Sequence, residues 1–104
     1  MEVKIFDDNL EKFIKSLEKP TIAKVLRIID LLELFGNKLN MPHSKKVAVH
    51  LFELRVRGIQ DVRILYAFNK GEVVLLHGFI KKSSRIPKKE IDIALSKLNR
   101  LTRV

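Results

Sequence analysis

LFELRVRGIQDVRILYAFNKGEVVLLHGFIKKSSRIPKKEIDIA, residues 51–94, reads as three strands carrying arginines, a basic loop and a helix. Strand alternation puts Leu51, Glu53, Arg55 and Arg57 on one face, and Phe52, Leu54 and Val56 on the other. Gly58 to Asp61 makes a turn. In the next strand Val62, Ile64, Tyr66 and Phe68 share a face, opposite Arg63, Leu65 and Ala67. Asn69-Lys70-Gly71 is a hairpin turn with Gly at a left-handed position. Glu72 to Ile80 is a nearly continuous apolar run, as in a strand covered on both faces. A basic loop, Lys81 to Arg85, leads to a last helix that Pro87 opens, with Ile91, Leu95, Leu98 and Leu101 inward. Neither Arg85 nor Ile86 is a good cap for that helix.

Outward from this run, Glu2 to Phe6 alternates as a short first strand. Asp8 with Glu11 forms a capping-box pattern, and Leu10, Phe13, Ile14 and Leu17 follow at helical spacing, so a helix is expected over 9–18. Pro20 opens a second helix whose stripe is Ile22, Val25, Leu26, Ile29, Leu32 and Phe35, ended by Gly36-Asn37. Lys38 to Lys46, KLNMPHSKK, reads as a polar connection, with Pro42 against a helix. The order β, αα, βββ, α predicts one α+β domain over 1–104. A neutral N-terminal helix hairpin packs on a mostly antiparallel four-stranded sheet with one partly open face, and a C-terminal helix follows.

The chain is 104 residues long and 46% hydrophobic, enough for one modest core. Without Cys, disulfides, thiolate nucleophiles and Cys-based zinc sites are excluded. No apolar run approaches membrane-spanning length and no signal peptide pattern opens the chain, so the expected location is the cytoplasm. Residues 1–42 hold seven basic and seven acidic residues; residues 43–104 hold fourteen against five, so the whole +9 excess lies there. A one-sided basic excess attracts polyanions, nucleic acid above all, although a solvated lysine-rich surface has the same composition.

The strand arginines sharpen that choice. Arg55, Arg57 and Arg63 on adjoining strands repel unless an anion or carboxylate lies between them, and Glu53 and Asp61 are too few for them together with Lys81, Lys82 and Arg85. Guanidinium binds phosphate in a fixed fork. The opposing reading makes Arg57 and Arg63 sheet-edge residues, each paired to a surface acid. Tyr66 is expected in the core with its hydroxyl at the edge; a role as stacking platform requires a strand bulge. His50 shares the parity of Phe52 and Leu54 and is expected to be structural. His43, beside Lys45 and Lys46, is a candidate proton donor to a leaving group, and His77, next to Gly78, is a second candidate to act on substrate. No metal-ligand spacing and no phosphate-cradling glycine loop is present, so neither metal nor cofactor is expected. Catalysis on such a face is electrostatic: cations hold a phosphodiester and stabilise its developing charge, a lysine crowded by cations is a candidate base, and the RNA 2′-hydroxyl is a built-in nucleophile.

The strings MPHSKK, LFELRVRG, DVRILYAF and VVLLHGFIKKSSRIPKKEIDIA resemble the phage-derived branch of the RelE/HigB-like toxins, within the RelE/ParE superfamily. LLHGFIKK followed by IPKKEIDIA is the specific part, and the resemblance covers about residues 38–98. It implies a RelE-like fold and a toxin of a toxin–antitoxin pair that enters the ribosomal A site, against 16S rRNA, and cuts mRNA by 2′-hydroxyl attack. It also implies silencing by a cognate antitoxin, in this branch often a helix-turn-helix protein. By position, the resemblance gives phosphate-orienting roles to Arg55, Arg57, Arg63 and Lys82, with Lys81 beside it. The catalytic set expected is Arg55, Arg63, Lys82 and His77; Arg57, Lys81, Arg85, His43, Lys45 and Lys46 are expected to hold RNA. No Tyr or His falls among residues 97–104, so the superfamily's near-C-terminal acid has no counterpart here. A gyrase-inhibiting toxin of the related ParE type and a non-catalytic RNA-binding module are the alternatives.

Overall fold

A computed structural model of the chain describes residues 1–102; Arg103 and Val104, the end of the expected domain, lie outside the described residues. The elements are β1 (Val3–Ile5), α1 (Asp8–Lys15), α2 (Lys19–Phe35), a short 3-10 turn (Gly36–Lys38), β2 (Ser44–Ala48), β3 (Leu51–Val56), β4 (Val62–Asn69), β5 (Glu72–Ile80) and α3 (Lys88–Thr102). This is the expected α+β order with one strand added. The sheet has five strands, in the order β1-β5-β4-β3-β2, rather than four. The added strand β2 lies inside the segment read as a polar connection. It is an edge strand, so one row of its backbone groups meets water, and its Lys45 and Lys46 are what an exposed edge carries.

The pairing explains the long central run. β2 to β5 form an antiparallel meander, and β1 closes the far edge parallel to β5. The β4–β5 hairpin turns on Lys70 (φ 50°) and Gly71 (φ 78°). Positive φ at both central residues of a two-residue loop matches the right-handed twist of the flanking strands. His50 is not a core residue at a strand entrance. It is exposed in the β2–β3 turn with φ 60°, so the strand begins one residue later than its parity suggested.

Both faces of the sheet are covered. α1, α2 and the turn between them bury Leu10, Ile14, Leu17, Val25 and Leu32 against Leu54, Val56, Val62, Ile64, Tyr66, Val73 and Leu75. On the opposite face α3 sets Ala94 against Leu51, Leu65, Ala67, Val74, Leu76 and Phe79. The face expected to be partly open is therefore roofed over much of its length, and only its β2–β3 end stays accessible. Within α3, Leu95 points outward while Ala94 and Lys97 point in. The small Ala94 lets the helix approach the sheet, and the buried Lys97 stem is satisfied at its tip: Nζ donates to the Leu76 carbonyl at 2.9 Å and pairs with Asp7 at 2.9 Å.

The first helix is capped one residue earlier than the capping-box pattern indicated. Asp7, in extended conformation, accepts the Leu10 N–H at 3.1 Å. Asp7 wins over Asp8 because its carboxylate also meets Lys97. α2 starts with Pro20 in its first turn and ends at Gly36 (φ 55°), as expected, but Leu26 and Phe35 of its stripe are exposed.

Candidate nucleic-acid interface

The accessible end of the α3 face is an open groove of about 510 Å³. β2 supplies Lys45, Lys46 and Val47; β3 supplies Glu53 and Arg55, with Arg57 just beyond its end; the loop after β5 supplies Lys81, Ser84, Arg85 and Ile86; α3 supplies Ile91. Six of the expected site residues thus meet in one place: Lys45, Lys46, Arg55, Arg57, Lys81 and Arg85, around a single carboxylate, Glu53. Strand alternation aims Arg55 there, and the antiparallel register places Lys45 opposite Glu53 on β2. The loop is tied in place because the Lys81 N–H donates to the Asp61 carbonyl at 2.7 Å and Ser83 Oγ donates to the Arg85 carbonyl at 2.7 Å.

Beneath this wall lies a buried charge network. Arg55 and Arg63 are direct partners across the β3–β4 ladder. Glu53 stands between them, Oε1 at 3.5 Å from Arg55 Nε and Oε2 at 3.5 Å from Arg63 Nε. Arg63 Nη1 is also paired to Asp61 and donates to the Val62 carbonyl at 3.2 Å. Two cations meet two anions, so the network is neutral, and the net positive charge of the groove comes from its lysines, Arg57 and Arg85. Arg63 is 0% exposed and does not line the groove, whereas Arg55 does. Arg55 Nη1 contacts Met41 Sδ at 3.2 Å.

The remaining expected residues stand apart from the groove lining. Lys82 is exposed in the loop beside Lys81. His77 lies on the α3 face, where Nε2 is 3.1 Å from Glu90 Oε1 and the ring stacks on Phe79 with centroids 6.0 Å apart. A bulge puts it there: Leu65 pairs with His77 but Tyr66 with Leu75, so Leu76 is the extra residue and parity reverses around it. The close approach that Gly78 allows is made by α1, since a Cβ there would lie 2.7 Å from the Phe13 ring. His43 lines a separate hollow with Lys24, Arg27, Ile28 and Leu31. Tyr66 is 1% exposed, and its hydroxyl is hydrogen-bonded to Ser44 Oγ; burial pushes its phenol above the ordinary value, with the Ser44 bond opposing. No helix among the described residues is long and apolar enough to cross a membrane.

The sequence pointed to the cations of the groove and to Glu53 on their face, but not to Ser84, Val47, Ile86 and Ile91 as its walls. The Glu-x-Arg spacing in Glu53-Leu54-Arg55 carried that placement, because i and i+2 share a strand face.

No curated protein matches this sequence. Among solved structures, the archaeal RelE–RelB complex from Pyrococcus horikoshii OT3 contains a chain of the same fold. The match has a TM-score of 0.56 at 23% identity and covers 82% of this chain and 97% of that one. The expected RelE-like architecture is thereby borne out. The model of the phage-derived Gp49-like proteins (DUF891) matches residues 12–99, which include both the groove and the buried network. The chain belongs to this phage-derived Gp49-like family, as its resemblance to the phage-derived RelE/HigB-like branch implied.

Proposed function

We propose that the chain is the toxin of a toxin–antitoxin pair and acts as an endoribonuclease on mRNA in the ribosomal A site. One observation carries this: six cations converge on an open groove that holds one carboxylate, itself occupied by Arg55 and Arg63. Such a groove holds a phosphodiester and stabilises the charge that builds on it. The substrate 2′-hydroxyl gives its proton to water and attacks the adjacent phosphorus, the bond to the 5′-oxygen breaks, that oxygen takes up a proton from water, and a 2′,3′-cyclic phosphate remains. Arg55 and Lys81 are the proposed contacts to the scissile phosphate. Lys45, Lys46, Arg57 and Arg85 hold the flanking backbone, with Lys82 at the rim. RelB accompanies RelE in the matched structure, and a cognate antitoxin is the proposed partner of this chain.

A second reading, RNA binding without cleavage, is favoured by a groove lining that, among the described residues, includes no histidine. Programmed ribosomes separate the two. Mapped mRNA breaks in the A site with gyrase supercoiling unaffected support the toxin nuclease. Intact mRNA under conditions of demonstrated binding leaves the RNA-binding module, and blocked supercoiling with intact mRNA leaves the gyrase-directed alternative.

A further inference from the structure

We propose that Glu53 is a positioning residue: it orients the Arg55 guanidinium toward the groove, and Arg63, anchored by Asp61, acts from beneath as its counter-support without touching substrate. This inference rests on the nuclease reading above. Two like charges directly opposite in a ladder destabilise it, and Arg55 and Arg63 are such a pair. Glu53 reconciles them by giving one carboxylate oxygen to each. The Glu53 side chain is 6% exposed and Arg63 is 0% exposed, while Arg55 retains 12% at the groove wall. Only one of the two guanidiniums therefore meets a ligand, and the buried one fixes the geometry. Among the described residues Arg55 Nε, Glu53 Oε2, and Arg63 Nε and Nη2 have no hydrogen-bond partner, so Glu53 holds both guanidiniums by charge pairing at 3.5 Å, while Arg63 Nη1 is anchored on Asp61 and the Val62 carbonyl. Moving Glu53 removes the carboxylate that Arg55 meets and leaves Arg63 with Asp61 and the Val62 carbonyl.

The direction of the effect distinguishes positioning from bulk electrostatics. Glu53→Gln makes the groove more positive by one charge. If Glu53 merely offset charge, anion binding and cleavage would both improve. If it orients Arg55, RNA binds as well as before or more tightly, while the single-turnover cleavage rate falls about 10²-fold, the scale of an ångström misplacement of a catalytic group. Glu53→Asp, which keeps the charge, recovers part of the rate. Because Glu53→Gln leaves Asp61 alone to balance the buried Arg63, the double variant Glu53→Gln/Arg63→Met, with neither buried charge, serves where the single one does not fold; it too must bind RNA and cleave slowly.

A cleavage rate for folded Glu53→Gln that equals the wild-type rate, or rises with tighter binding, overturns the inference. Failure of the wild-type chain to cut mRNA instead sinks the nuclease reading, and the arginine Nε–H resonances then decide about Glu53 alone. In the wild type the Arg55 Nε–H, buried and ion-paired to Glu53 Oε1, is expected to exchange slowly with solvent. Acceleration of that exchange by Glu53→Gln or the double variant upholds the orienting contact, and unchanged exchange overturns it.

Discussion

Arg55 and Arg63 face each other across the β3–β4 ladder and are held together by one carboxylate, that of Glu53. The pair divides the labour of a strand surface that looks uniformly basic in sequence. Arg55 reaches the groove, and Arg63 is sealed beneath it. Loss of function at Arg63 thus has a different meaning from loss at Arg57, which is exposed.

Stability separates these two arginines. Arg63→Ala leaves Glu53 buried with half of its neutralisation gone, and breaking a buried pair from one side costs about 3–5 kcal/mol. Arg57→Ala removes an exposed side chain and should stay within about 0.5 kcal/mol of wild type. Urea unfolding of both variants checks this; equal midpoints would show that the Arg63 network contributes no net stability. A growth-arrest assay with Arg63→Ala alone reports folding before it reports chemistry.

The groove lysines should announce themselves through salt. Lys45→Ala and Lys46→Ala each remove one cation from the groove wall, so each should weaken binding to single-stranded RNA and lower the slope of log K against log salt by about 0.7. Lys12→Ala, on the exposed face of α1, should leave the slope unchanged. Fluorescence anisotropy across a salt series measures it. Equal slopes for all four proteins would place the RNA path elsewhere.

Much of this was legible in residues 51–94. The alternation of Phe52, Leu54 and Val56 against Glu53, Arg55 and Arg57 is the observed face assignment, and Lys70-Gly71 is the hairpin turn. Alternation says which residues share a face, not what lies over it. Docking of α3 on Leu51, Leu65 and Leu76 is a long-range event, and it turned an expected open surface into a roofed one with Arg63 inside. β2 was hidden because edge strands tolerate lysines and because Pro42 suggested a loop. His77 was re-aimed by an extra residue, Leu76, that no periodicity in an apolar run reveals.

Tyr66 is tied to the edge strand through Ser44, and its ionisation should be coupled to unfolding. Burial raises the phenol's pKa, so the folded state favours the protonated ring. That contribution is fully present below the ordinary value of 10.0 and is lost as pH rises through the folded-state value. Spectrophotometric titration should show tyrosinate appearing only above the ordinary range, together with loss of the folded signal. Tyr66→Phe, at a cost of about 1 kcal/mol for the lost hydrogen bond at neutral pH, should lack this alkaline transition. A phenol titrating at its ordinary value in the folded protein would contradict the buried placement.

Gly78 is expected to be a packing residue rather than a substrate-facing one. Its missing side chain leaves room for the Phe13 ring and Leu10 of α1, which a Cβ would meet at 2.7 Å and 3.0 Å. Gly78→Ala should cost about 1–3 kcal/mol through overpacking. Pairing it with Phe13→Leu, which removes the clashing ring, should recover part of that loss in a double-mutant cycle, whereas independent effects would mean that α1 does not press on β5 here.

The Asp7–Lys97 pair joins the start of α1 to the middle of α3 and should give the protein an acid-sensitive clasp. Burial alone would raise the Asp7 carboxyl, but hydrogen bonds from Lys97 and the Leu10 N–H, with the charges of Lys97 and Arg100, outweigh it and hold the carboxyl below its ordinary 3.8. A depressed carboxyl contributes stability that is present above the ordinary value and is lost as pH falls through the folded-state value. Asp7→Asn keeps an acceptor for the Leu10 N–H but leaves Lys97 Nζ without its carboxylate. It should cost about 2 kcal/mol at neutral pH, less than a fully buried pair because part of Asp7 meets water. The difference from wild type should shrink once the pH falls below the ordinary carboxylate range. Lys97→Met in either background should be non-additive, because each substitution removes the same contact. Parallel stability curves for Asp7→Asn and wild type across the acid range would show that the clasp is structural packing and not charge.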